Sequence, residues 1–228
     1  VATNMLTDRK SDTWRSTGGT ATITMTFASA EFVGCVATPF CNLTSAATFR
    51  VRTYTEVADV TPVIDTGVVQ ACASTPLGLW EWGNVPLGVN AYSYGGANYG
   101  RAWFATNPVK KIVIDIVDST NPVGYIEMSR MVAGAYFIPE RNAELDANWE
   151  VLEASKSERN DATDLITDIG GKSKKITFNL QHMSPADRNS VTNILKGNGV
   201  AKPMFISLYP DDDDSSVEQL YQVWGKLS

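Results

Sequence analysis

Polar and apolar residues alternate through Thr20–Phe27 (TATITMTF), which puts Ile23, Met25 and Phe27 on one face of an extended segment. That period of two is what a strand with one buried side requires. The segment ahead of it, Asn4–Ser16 (NMLTDRKSDTWRS), is polar and aspartate-bearing and carries Trp14 and Arg15, so the two together predict the entry to a β-sandwich binding module. Further strands are predicted at 31–37, 48–56, 66–71, 101–106, 110–117 and 124–138, punctuated by glycine, proline and asparagine. In TFRVRTYTEV, Phe49, Val51 and Thr53 share one face and Arg50, Arg52 and Tyr54 the other, the pattern of a half-solvated strand. Ile112, Ile114 and Ile116 in KKIVIDIV predict a central strand. No helical pattern precedes Pro139, so the first 138 residues read as all-β, with turns frequent enough for a jelly roll or a related sandwich.

Beyond Pro139 the pattern changes to polar and charged (ERNAELDANWE), then to strands mixed with a helix. We place a module boundary there, with residues 1–138 as the sandwich and 139–228 as a smaller α+β part. Ser184 is suited to N-cap a helix with Pro185 in its first position and Asp187 three residues after the cap. Val191, Ile194 and Leu195 form its apolar stripe, and Gly197 and Gly199 end it. KKITFNL and PMFISLYP predict flanking strands. The tail VEQLYQVWGKLS fits either a helix or a closing strand, and a short turn followed by a strand is preferred.

Composition narrows the function classes. The 228 residues are 43% hydrophobic with a formal charge of −6, a folded chain with no basic face for nucleic acid. No apolar run reaches the roughly 20 residues of a membrane helix, and VATNMLTD lacks the features of a signal peptide, so synthesis in the cytosol is expected. Three cysteines, Cys35, Cys41 and Cys72, are expected to be reduced and packed as small apolar residues, with a Cys35–Cys41 loop disulfide as the oxidised alternative. One histidine, His182, and no C-x-x-C leave too few ligands for zinc.

The motifs that suggest chemistry read structurally. GGKS at Gly170–Ser173 ends like a phosphate-binding loop, but Ile166 stands where the first glycine belongs and a strand follows, so it is expected to be a hairpin turn. The acidic run Asp211–Asp214 lacks the glycine and spacing of a calcium loop and is expected to be solvated. Asn42-Leu43-Thr44 matches a glycosylation sequon by chance. His182 is the only partner available for a nucleophile, and nothing in the sequence places a serine or cysteine beside it. No pair of carboxylates stands out for glycoside cleavage. The expectation is no enzyme, no cofactor and no metal.

The segment Ser74–Gly100 is the candidate interface or ligand loop. It is long, rich in proline and glycine, and carries Trp80, Trp82, Tyr92, Tyr94 and Tyr99. Three readings stay open: a cover over the sandwich end, a protein interface, or a platform for stacking sugar rings.

The opening NMLTDRKSDTWRS, the strand FRVRTYTE and GYIEMSRMVAGAYF resemble the first, middle and last strands of a galactose-binding-like, discoidin-type jelly roll. The C-terminal part, KKITFNLQHMSPADRNSV with KPMFISLYPDD and EQLYQVWGKLS, is similar to distal tail or baseplate structural proteins of tailed bacteriophages. The resemblance implies a virion subunit that forms a homo-oligomeric ring, trimer or hexamer, near the tail tip and docks other tail proteins. No sugar-binding residue of the jelly-roll family can be matched, so glycan recognition remains the alternative, as a carbohydrate-binding module for a host surface. Neither reading implies nucleic acid or membrane insertion.

Overall fold

The computed structural model describes residues 2–72, 98–143, 147–210 and 215–227. A 3-10 turn at Ala2–Leu6 leads into β1 (Trp14–Arg15), β2 (Thr20–Cys41), β3 (Thr48–Tyr54), β4 (Ile64–Asp65), β5 (Val69–Gln70), β6 (Asn98–Val117) and β7 (Glu127–Gly134). These strands form one antiparallel sheet in the order β1-β7-β2-β6-β3-β4, with β5 also on β3. The architecture is mainly β and antiparallel, consistent with a jelly roll.

The centre of the sheet is the pairing of β2 with β6. A straight 22-residue strand would extend about 70 Å, but β2 is interrupted by register shifts between Thr26 and Glu31, Val33 and Cys35, and Thr38 and Cys41. Such irregularities bend strands. The first half of β2 pairs with the second half of β6, which carries β3 on its other side, and the second half of β2 pairs with the start of β6 and with β7. One apolar core joins both halves: Ile23, Phe49, Val51, Ile112, Ile114 and Ile116 from one, and Val33, Val36, Phe104, Met128 and Met131 from the other.

This corrects the expected boundaries. The strands foreseen at 20–27 and 31–37 are one strand, as are those at 101–106 and 110–117, while 66–71 is reduced to the two-residue β5, with β4 lying just before it. Phe49 and Val51 are buried as foreseen, and so is Thr53, whereas Arg50 and Arg52 face Asp65 and Asp115 across the sheet surface at 2.6 and 2.5 Å.

Residues after Gly134 hold β8 (Asn148–Glu153), β9 (Lys156–Arg159), β10 (Leu165–Asp168), β11 (Lys172–Thr177), α1 (Pro185–Asn198), β12 (Met204–Ser207), α2 (Ser215–Leu220) and β13 (Gln222–Gly225). The α1 cap is as read from the sequence: the Ser184 Oγ accepts from the Asp187 N–H at 3.2 Å, and Gly199, at φ 56°, follows the last helical residue. The tail is a short helix followed by a strand, not a turn and a strand.

Candidate interaction surface

Residues 148–177 run out and back as a two-stranded ribbon. At its base β8 pairs with β11, from Asn148 opposite Thr177 to Glu153 opposite Lys172; farther out β9 pairs with β10, from Lys156 opposite Asp168 to Arg159 opposite Leu165. Every residue of β9 and β10 is exposed. Leu165, Ile166 and Ile169 are 63, 51 and 81% exposed, so the outer ribbon displays aliphatic surface with no layer beneath it among the described residues. An isolated two-stranded ribbon is marginal in water.

The GGKS motif sits midway along this ribbon, which corrects the hairpin-turn expectation. The Ala154 N–H donates to the Gly171 carbonyl at 3.1 Å and the Gly170 N–H to the Ser155 Oγ at 2.9 Å. A Cβ on Gly170 would lie 2.4 Å from the Ala154 carbonyl carbon, so only glycine allows the strands to approach here. The turn lies at Asn160–Asp164, where the Asn160 Oδ1 accepts from the Ala162 and Asp164 N–H groups at 3.0 and 2.9 Å and Thr163 adopts φ 68°.

At the base, the Lys174 Nζ donates to the Gln222 carbonyl at 3.0 Å, and burial lowers its pKa to about 8. The adjoining antiparallel β12–β13 pair and the α2 helix that connects them are fastened to the large sheet by a buried ion pair. The Arg101 Nε donates to the Glu218 Oε1 at 2.8 Å, a second guanidinium nitrogen meets the other carboxylate oxygen, and the Gln222 amide donates to the same Oε1 at 2.7 Å. Burial disfavours the Arg101 charge, but the hydrogen bond and charge of Glu218 outweigh it and hold the guanidinium above its usual pKa. Phe205 from β12 packs against Tyr99 and Trp103 at 6.1 and 6.2 Å between ring centres. Nearby, Phe137, Pro139, Tyr209 and Pro210 border an open cleft of about 430 Å³.

Of the five aromatics singled out in the sequence, Trp80, Trp82, Tyr92 and Tyr94 lie outside the described residues. Tyr99 is only 8% exposed, and burial raises its phenol pKa. It therefore belongs to the junction with β12 and β13. Of the ribbon, only β11 was foreseen, within KKITFNL; the outer strands β9 and β10 left no trace in the hydrophobic pattern, because strands wet on both faces carry no alternation.

The structure places the remaining sequence candidates as follows among the described residues. Cys35, Cys41 and Cys72 are buried and in no disulfide, and the Cys41 Sγ accepts from the Thr38 hydroxyl at 3.6 Å. Burial pushes the Cys35 thiol up to about 12. His182 is exposed on the turn before α1, away from the apolar core that holds Cys41 and Cys72. The Asn42 side chain is engaged structurally, donating to the Tyr125 carbonyl at 3.0 Å and accepting from the Glu127 N–H at 2.7 Å. The acidic run 211–214 lies outside the described residues. Among the described residues, no cluster of three or more potential metal ligands occurs and no helix is long and apolar enough to cross a membrane.

No protein-family profile matches the chain, and no curated protein does. Among solved structures, the chain is similar over 60% of its length to the "CBM32 of AlyQ in complex with 4,5-unsaturated mannuronic acid", with 15% identity, a TM-score of 0.38 and 87% of that chain covered. It is similar over 61% of its length to "Truncated AlyQ with CBM32 and alginate lyase domains", with 19% identity, a TM-score of 0.34 and 30% of that chain covered. Both neighbours are or contain a CBM32 module. At TM-scores below 0.5, the likeness assigns this chain neither a fold nor a ligand.

Proposed function

We propose that this chain is a non-catalytic structural subunit that works by docking other protein chains through its exposed ribbon. The observation that carries this is the ribbon of residues 148–177, whose outer strands are solvated on every residue yet display Leu165, Ile166 and Ile169. Exposed apolar edges of this kind invite pairing with another chain. In its finer form, resting on the resemblance of the C-terminal sequence, the subunit belongs to the tail tip or baseplate of a bacteriophage virion, forming a trimeric or hexameric ring and docking neighbouring tail proteins. It is made in the host cytoplasm.

Light scattering of the full chain over a micromolar concentration series is expected to give a closed oligomer. Excising residues 154–171 and joining β8 to β11 by an Asn-Gly turn is expected to abolish it. A strictly monomeric full chain that also fails to co-sediment with assembled tails sinks the reading.

The second reading is a carbohydrate-binding module for a host surface glycan, favoured by Trp80, Trp82, Tyr92 and Tyr94 within one segment. A glycan array is its test. Binding lost in Trp80→Ala or Trp82→Ala supports it, and an array without hits rejects it.

A further inference from the structure

The outer ribbon has two edges of different chemistry. β9 presents Lys156, Glu158 and Arg159, the kind of charged side chains with which natural edge strands discourage pairing. β10 presents Leu165, Ile166 and Thr167 and runs on to Ile169, with no lysine or proline from 165 to 171. In its two-stranded sheet β10 has β9 on one side only.

Building on the docking role above, we propose that β10 pairs antiparallel with β10 of a second copy of this chain about a twofold axis at Thr167, making a four-stranded sheet β9-β10-β10-β9. A twofold axis normal to a sheet keeps each face on its own side, so opposed residues must both be odd-numbered or both even-numbered. Three such registers overlap at least three of residues 165–169. Centred on Ile166, Asp164 faces the second copy's Asp168; centred on Asp168, the two Asp168 carboxylates face each other. Both oppose like charges, which destabilises a sheet. Centred on Thr167, Leu165 faces Ile169 of the other copy on each side of the axis, the two threonines meet at the centre, and Asp168 faces Ile166. Asp168 then keeps Lys156 as its cross-strand neighbour within its own ribbon. The segment Leu165–Ile169 is thus complementary to itself, the condition for an isologous contact. A second copy is therefore the occupant argued for, in preference to an unrelated strand. The pairing also turns a two-stranded hairpin into a sheet of the size that holds together in water.

Directly opposed antiparallel residues have Cα atoms about 4.5–5.5 Å apart, within the span a disulfide bridges. The full chain carrying Thr167→Cys, incubated with oxidised glutathione, is expected to form a covalent dimer, while Ser157→Cys on the charged β9 edge and the unmodified chain stay monomeric on a non-reducing gel. Leu165→Lys and Ile169→Lys, both at exposed positions, are each expected to raise the dimer dissociation constant at least about tenfold by sedimentation equilibrium with an unchanged melting temperature. Failure of Thr167→Cys to link, or equal linking through Ser157→Cys, overturns the pairing. A dimer dissociation constant unchanged in Leu165→Lys and Ile169→Lys overturns the pairing and leaves the docking role standing. A Thr167→Cys-linked pair in a protein that forms no ring retains the pairing and removes the ring.

Discussion

Glu218→Ala is the most demanding test of how the C-terminal elements are held. The Glu218 side chain is 2% exposed and accepts from Arg101, itself 17% exposed, and from Gln222. Truncating it leaves the guanidinium with only the Gln70 and Ala71 carbonyls, at 3.0 and 3.4 Å, and strips the Gln222 amide of an acceptor. Breaking a buried pair from one side costs about 3–5 kcal/mol, because a desolvated charge is left uncompensated. For a chain of this size, each kcal/mol lowers the melting temperature by roughly 2–4 °C, so a fall of roughly 6–20 °C is expected. The assay is urea unfolding followed in parallel by far-ultraviolet circular dichroism and tryptophan fluorescence. If α2 and the β12–β13 pair detach before the large sheet melts, the fluorescence transition separates from the dichroism and amide exchange rises across residues 204–225. The double variant Arg101→Met/Glu218→Leu removes both charges and is expected to recover most of the loss. A cost below about 1 kcal/mol for Glu218→Ala, the value of a solvent-exposed pair, refutes the reasoning, as does a double variant no more stable than the single.

Ile114→Ala, at a fully buried central-strand position, is expected to cost about 2–5 kcal/mol in urea unfolding; Ser184→Ala, which removes the α1 cap, about 1 kcal/mol. Gly170→Ala is expected to raise amide exchange at residues 156–168 about tenfold while the large sheet melts unchanged, because the clash with the Ala154 backbone is confined to the ribbon. The hydrogen bond from Arg50, followed by that from the Gly67 N–H, lowers the Asp65 pKa from 3.8 to about 2. A carboxylate depressed in the folded state stabilises above its unfolded pKa, and that contribution fades as pH falls from about 4 through about 2. Carboxyl NMR should therefore place Asp65 at about 2, and Arg50→Met should return it towards 3.8.

What was legible in the sequence follows from where water lies. Phe49, Val51, Ile112, Ile114 and Ile116 sit on strands with a buried face, and their alternation places them correctly in the core. The full length of β2 was hidden because Ala28–Phe32 is exposed and its pairing with β6 shifts register, so alternation lapses while the strand continues from Glu31 opposite Val109. In β6, Asn107-Pro108 reads as a break, yet Pro108 sits in the ladder opposite Phe32. The α1 start was legible because Ser184, Pro185 and Asp187 act locally. The outer strands of the ribbon, β9 and β10, and the Arg101–Glu218 pair were not: the strands carry no hydrophobic period, and the pair joins residues 117 positions apart.

The β2–β6 pairing also sets how fast the molecule can form. Thr20 meets Val117, 97 positions away, and even the nearest pair in that ladder, Cys41 with Asn98, is separated by 57. Loop closure must be completed before the central ladder offsets any of its entropy, which places the chain among slow, high-contact-order folders, with times of milliseconds to seconds. The intervening residues lengthen that loop only logarithmically, so insertions between residues 73 and 97 should alter the refolding rate little, whereas moving the chain ends there by circular permutation would redistribute the entire search.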